Sequence, residues 1–180
     1  MPFALGVKSI NASAGAIIVL WDQVSIFEEV PSMRALNYPP HITFAIYDAP
    51  EVPKEMAIAA MERAAQGRST IEITFNRIQA FDGPSLILWA DPEPKEVLLE
   101  MHQKIHSAIS PEFCRTHYRP RNWMPHCTLA TRTAASRNAD ALAFAKGFRG
   151  GSRVIFDVAD CVALEPLKVV AETRLNAPGI

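Results

Sequence analysis

A six-residue phrase occurs twice in this chain, and internal repetition of this kind argues for a fold built from two related halves. Residues 40–45 read Pro-His-Ile-Thr-Phe-Ala, and residues 125–130 read Pro-His-Cys-Thr-Leu-Ala. Four of the six positions are identical, and the two that differ are apolar in both copies. Random placement of the chain's 5 His among 180 residues would give roughly 0.2 His-x-Thr triplets. Each copy alternates apolar and polar side chains, the pattern of a half-buried strand. Successive strand side chains point to opposite faces, so His41 and Thr43 share one face, as do His126 and Thr128.

The rest of the chain reads as strands and helices around these two phrases. Residues 1–13 read as a polar lead-in. Ala16 to Leu20 is short, apolar and β-branched, the signature of a buried strand. Asp22 would cap a helix over 23–30, ended near Pro31. Pro39 and Pro40 stiffen the approach to His41. Over 41–47, Ile42, Phe44 and Ile46 face a core, and His41, Thr43, Ala45 and Tyr47 face away from it. A helix is expected over 54–66, begun by Pro53. Strands at 71–75 and 86–89 flank the turn signal Asp82-Gly83-Pro84-Ser85, giving a hairpin. Val97, Met101, Ile105 and Ala108 mark an amphipathic helix over 93–109. The second phrase forms a strand over 126–131, followed by a helix over 136–147 that Gly150-Gly151 breaks. Val154, Phe156 and Val158 form one strand, and a last one runs through Leu167, Val169 and Ala171. The expected fold is α+β and bilobal: two similar lobes of antiparallel sheet plus helices, facing a central cleft, with residues 1–180 as one domain.

Composition narrows the function classes. Hydrophobic residues make up 49% of the chain, enough for a sizeable core. A net charge of −1 excludes a binder of long nucleic acid that works by bulk positive charge. The three cysteines, Cys114, Cys127 and Cys161, are odd in number and widely spaced, which fits reduced thiols and a cytoplasmic location. No signal peptide is expected, because no basic segment leads into a long apolar run. The longest apolar stretch, Ala14 to Trp21, is too short to span a membrane. No segment announces a protein partner, and a monomer is expected.

Two imidazoles backed by two hydroxyls are the parts of acid–base chemistry on a phosphate ester. With an ordinary pKa of about 6.5, one histidine can be neutral and the other protonated at the same pH. The neutral one takes a proton from water or a hydroxyl, and the protonated one gives a proton to the leaving oxygen. Thr43 and Thr128 would donate to the non-bridging oxygens. Such a mechanism needs no metal and no cofactor. Strand phase adds Tyr47, six residues after His41, and Arg132, six after His126. The basic and aromatic stretch Arg115 to Trp123 adds Arg121 and Trp123 as phosphate and base contacts. A competing zinc site could be assembled from His102, His106, Cys114 and His117, although Gln103 breaks the His-Glu-x-x-His pattern.

The paired His-x-Thr phrases resemble those of the 2H phosphoesterase superfamily, in its bacterial 2′-5′ RNA ligase-like and cyclic phosphodiesterase branch. The resemblance implies a bilobal α+β fold with both motifs in a central cleft. It implies metal-independent chemistry on phosphodiester bonds, typically at RNA 3′ ends or small nucleotides carrying a 2′,3′-cyclic phosphate, with a 2′-phosphate as product. It makes His41 and His126 the acid–base catalysts and Thr43 and Thr128 the phosphate binders. RNA ligase-like members often carry Arg three residues after the second Thr; this chain has Thr131 there and Arg132 one later. The expected activity is therefore hydrolysis of 2′,3′-cyclic phosphates. A 2′-5′ RNA ligase or 2′-5′ phosphodiesterase is the first alternative, and a non-catalytic nucleotide or RNA-end binder the second.

Overall fold

The computed structural model describes residues 1–177. Among these residues, two four-stranded antiparallel sheets and five helices give an α+β architecture. The first sheet holds β1 (Phe3–Lys8), β2 (His41–Tyr47), β7 (Val158–Leu164) and β8 (Leu167–Arg174), in the order β2-β1-β7-β8. The second holds β3 (Ile71–Phe81), β4 (Ile87–Glu93), β5 (Cys127–Ala130) and β6 (Ser152–Phe156), in the order β5-β4-β3-β6. Each phrase thus lies at the edge strand of its own sheet. Helices α3 (Lys54–Ala65) and α4 (Glu96–Ala108) pack together and cover the first sheet, while α1 (Gly15–Val24) and α5 (Asn138–Gly147) lie on the second. The short α2 (Ser32–Ala35) touches β5.

Two early segments differ from their expected states. The lead-in is β1, a central strand buried at all six positions. A strand covered on both faces shows no alternation, so the period-2 signal is missing. The expected strand at Ala16 to Leu20 is the middle of α1. Its buried side chains are Ile17, Leu20, Trp21 and Val24, the spacing of one helical face, which overrides β-branched propensity. The helix expected over 23–30 is replaced by a 3₁₀ turn at Ser25–Phe27 and then α2. Near the C-terminus, the single strand expected through Val154 and Val158 breaks at Asp157 into β6 and β7, which belong to different sheets.

Both phrase strands carry a bulge one residue after the motif threonine. Leu5 pairs with Ala45 and Gly6 with Thr43, so Phe44 is the extra residue on β2. Leu88 pairs with Ala130 and Trp89 with Thr128, so Leu129 is the extra residue on β5. A bulge adds local twist and resets which face the following side chains take. At the first bulge the backbone of β1 comes close to β2, and a Cβ on Gly6 would sit 2.7 Å from the Ile42 carbonyl oxygen. A clash with backbone cannot be relieved by a rotamer change. Gly6→Ala is expected to cost about 1–3 kcal/mol, read as a lowered urea midpoint, and to reduce activity further by displacing the His41–Thr43 segment. Unchanged stability and activity would show that β2 moves freely on β1.

Candidate active site

The two phrases meet at one cleft of about 200 Å³, lined from the first sheet by His41 and Thr43 and from the second by His126 and Thr128. The backbone fixes each imidazole in the same way. His41 Nδ1 lies 2.9 Å from the Pro39 carbonyl, and His126 Nδ1 lies 2.7 Å from the Met124 carbonyl. A carbonyl oxygen only accepts, so both Nδ1 atoms carry hydrogen and both Nε2 atoms are left to gain or lose the proton. Burial holds both imidazoles below the ordinary histidine value. At His126 a charge on His41 deepens the depression, which couples the two rings.

The threonines are fixed by a repeated device as well. As edge strands, β2 and β5 expose carbonyls with no strand to satisfy them. The Trp123 indole N–H donates to the Thr43 carbonyl at 3.0 Å, and the Trp21 indole N–H donates to the Thr128 carbonyl at 3.0 Å. One tryptophan therefore pins each His-x-Thr segment.

The bulges correct the strand-phase expectation for Tyr47 and Arg132. After Phe44, Ala45 and Tyr47 turn into the core and Ile46 faces the cleft. Tyr47 is fully buried, with its hydroxyl 3.4 Å from His106 Nδ1. β5 ends at Ala130, and the backbone N–H groups of Thr131 and Arg132 both donate to Glu28 Oε1 at 3.0 Å. This turn leaves Arg132 exposed and outside the cleft lining.

The basic and aromatic stretch is mostly internal architecture. Trp123 is buried, stacked on His102 with ring centroids 4.3 Å apart and set edge-on to Phe44. It packs beneath the site and does not line it. Arg121 is exposed on a loop with φ of 75° and also lies outside the lining. Arg115 forms a two-pronged pair with Asp48, and Arg119 donates to the carbonyls of Cys114 and Glu112.

His102 and His106 converge on one acceptor instead of forming a zinc site. Their Nε2 atoms lie 2.8 and 2.9 Å from the Tyr118 carbonyl, so both donate there, and burial lowers the pKa of both rings. Among the described residues, no group of three or more His, Cys, Asp or Glu side chains is placed to hold a metal ion. Burial and the neighbouring His102 lower the His106 pKa to about 4. The unfolded chain therefore binds more protons than the native state between about pH 6.5 and 4. Stability is full above that window and falls as pH drops through it. Thermal melts from pH 7.5 to 4.5 should show this loss, and His106→Gln should make it shallower. An equally steep loss in the variant would place the acid sensitivity elsewhere.

Several cleft residues carry no motif in the sequence. Gly6, Tyr38, Tyr118 and Asp160 line it with the two pairs. Lys8 lies directly across from His41 in the sheet register. Phe81 and Trp89 stack on each other and present their rings to His126, at 5.2 and 6.0 Å between centroids. The one sequence signal for Asp160 is an acidic residue between two apolar ones in a buried strand.

Comparison with known proteins agrees with this geometry. Among curated proteins, none matches the sequence. Among solved structures, TT0787 of Thermus thermophilus is similar at 17% identity and a TM-score of 0.66, covering 99% of this chain and 100% of that one. E. coli LigT complexed with 3′-AMP is similar at 15% identity and a TM-score of 0.60, covering 97% and 99%. Kluyveromyces marxianus Usb1 is similar at 9% identity and a TM-score of 0.53, covering 94% and 97%. These likenesses establish the shared fold. The model of the 2′-5′ RNA ligase superfamily matches residues 19–158, which include both phrases, and the chain belongs to that superfamily, whose members act on phosphodiester bonds.

Proposed function

We propose that this chain hydrolyses 2′,3′-cyclic phosphates, at RNA 3′ ends or on small nucleotides, to 2′-phosphates, without a metal. The observation that carries this reading is the matched state of the two imidazoles. Each has Nδ1 engaged by the carbonyl two residues earlier and Nε2 left for proton transfer in one cleft. One imidazole takes a proton from water as its oxygen attacks phosphorus. The bond from phosphorus to the ribose 3′ oxygen breaks, and the other imidazole protonates that oxygen. Thr43 and Thr128 donate to the non-bridging oxygens, where negative charge grows. The cleft volume, about 200 Å³, is below the usual span of small-molecule sites, which favours a terminal cyclic phosphate and its sugar over an internal stretch of RNA. The 3′-AMP carried by E. coli LigT supports a nucleotide as ligand.

Incubation with 2′,3′-cyclic nucleotides in EDTA, with phosphorus NMR of the product, tests the reading. A 2′-phosphate is the expected product; a 3′-phosphate, or no turnover, would overturn it. The family's description favours a second reading, cleavage or formation of 2′-5′ linkages, which turnover of a 2′-5′-linked oligonucleotide alone would support.

A further inference from the structure

The cleft is symmetric in its two phrases but not in what stands behind them. On the first sheet, Thr43 pairs with Gly6, Gly6 with Asp160, and Asp160 with Glu172, while His41 pairs with Lys8. Directly opposed residues share a face, so Lys8, Asp160 and Glu172 lie on the same face as His41. Gly6, between Thr43 and Asp160 in the register, has no side chain and lines the cleft with them. Asp160 is 2% exposed, yet it lines the cleft. Its Oδ2 accepts from the Tyr38 hydroxyl at 2.5 Å and from Lys8 Nζ at 2.8 Å. Lys8 Nζ also reaches Glu172 at 2.7 Å, so two carboxylates draw the ammonium away from the imidazole it faces. The Tyr38 ring meets His41 edge-on, with centroids 5.0 Å apart. The groups facing His41 are therefore Lys8, Tyr38, Asp160, Glu172 and, from the second sheet, His126. Behind His126 stand the rings of Phe81 and Trp89, and a charge on His41 lowers it further.

We propose that Asp160, held by Tyr38 and Lys8, is a positioning residue that makes His41 the proton-bearing acid and leaves His126 as the base. This rests on the phosphodiesterase reading above. At the start of the reaction His41 Nε2 carries a proton and His126 Nε2 does not. Water gives a proton to His126 as its oxygen bonds to phosphorus. The bond to the leaving oxygen breaks, and His41 transfers its proton to that oxygen. The cycle ends with His126 protonated and His41 neutral, and exchange with solvent restores both. Burial lowers the His41 pKa, and Asp160 acts against that fall while Lys8 adds to it; burial raises the Asp160 carboxyl itself, and the hydrogen bonds from Lys8 and Tyr38 pull it back toward the charged form. Burial by itself would lower Lys8, but its two carboxylate partners hold the ammonium charged.

The test is an NMR titration of the two imidazoles beside the pH profile of kcat/KM on a 2′,3′-cyclic nucleotide. In the unmodified protein, His41 should titrate at higher pH than His126. Asp160→Asn should lower the His41 titration by on the order of one pH unit and shift the alkaline limb of the profile down with it, leaving the acidic limb in place. Lys8→Met should move His41 the opposite way, and it reads the same coupling if Asp160→Asn does not fold. His126 titrating above His41, or an acidic limb that moves with Asp160, would overturn the assignment. A loss of kcat with neither limb displaced would reduce Asp160 to packing and overturn it too. Absence of turnover would sink the phosphodiesterase reading, while the order of the two titrations would still decide this one.

Discussion

His41→Ala and His126→Ala are each expected to cut turnover of a 2′,3′-cyclic nucleotide by about 10²–10⁴-fold, the usual worth of one positioned proton transfer. Neither side chain holds up the core: both stand in the cleft wall, tied by one ring nitrogen to a nearby carbonyl. Melting temperature should therefore change little. The two losses should not multiply, because a base without its acid leaves the leaving oxygen unprotonated whatever else remains. A double variant only slightly slower than the worse single one would mark the pair as one unit. Full turnover in either single variant would remove that histidine from the chemistry, and with it the two-imidazole mechanism.

Trp123→Ala should have the largest effect on stability. The indole fills a buried site against His102 and Phe44 and satisfies the Thr43 carbonyl. Emptying such a site costs about 3–5 kcal/mol, a fall in melting temperature on the order of 10 °C. Trp123→Phe keeps a ring in the site but orphans the carbonyl, at about 1–3 kcal/mol. A base-stacking role would look different: a raised KM with an unchanged melting temperature. Calorimetry beside steady-state kinetics separates the two.

The doubled phrase makes the two motif strands, the shared cleft and the antiparallel α+β frame legible, because repetition and alternation are local signals. The helices at Lys54–Ala65, Glu96–Ala108 and Asn138–Gly147 are legible for the same reason. What escapes depends on distant partners. β1 reads as lead-in because its neighbours, β2 and β7, lie far along the chain. The Ile17, Leu20, Trp21 and Val24 spacing is present, but a run of Ile and Val outweighs it. Counting in twos through residues that bulge misplaces Tyr47 and Arg132. The bulge on β2 is not written in its phrase alone; it lies where Gly6 lets the backbones of β1 and β2 approach. Asp160 and Lys8 become visible as site neighbours only once sheet register places them beside His41.

The order β2-β1-β7-β8 bears on how the protein comes off the ribosome. All four strands of the second sheet lie between Ile71 and Phe156, so that sheet has every strand once Phe156 has emerged. The first sheet must hold its earliest strand open until Val158 to Arg174 arrive to pair with it. His41 is synthesised early and gains its surroundings last. A nascent chain, or one cut short before Val158, already carries both phrases but only one finished half of the cleft. The strand order thus makes the wall around His41 the last part of the cleft to be completed, once β7 and β8 have paired.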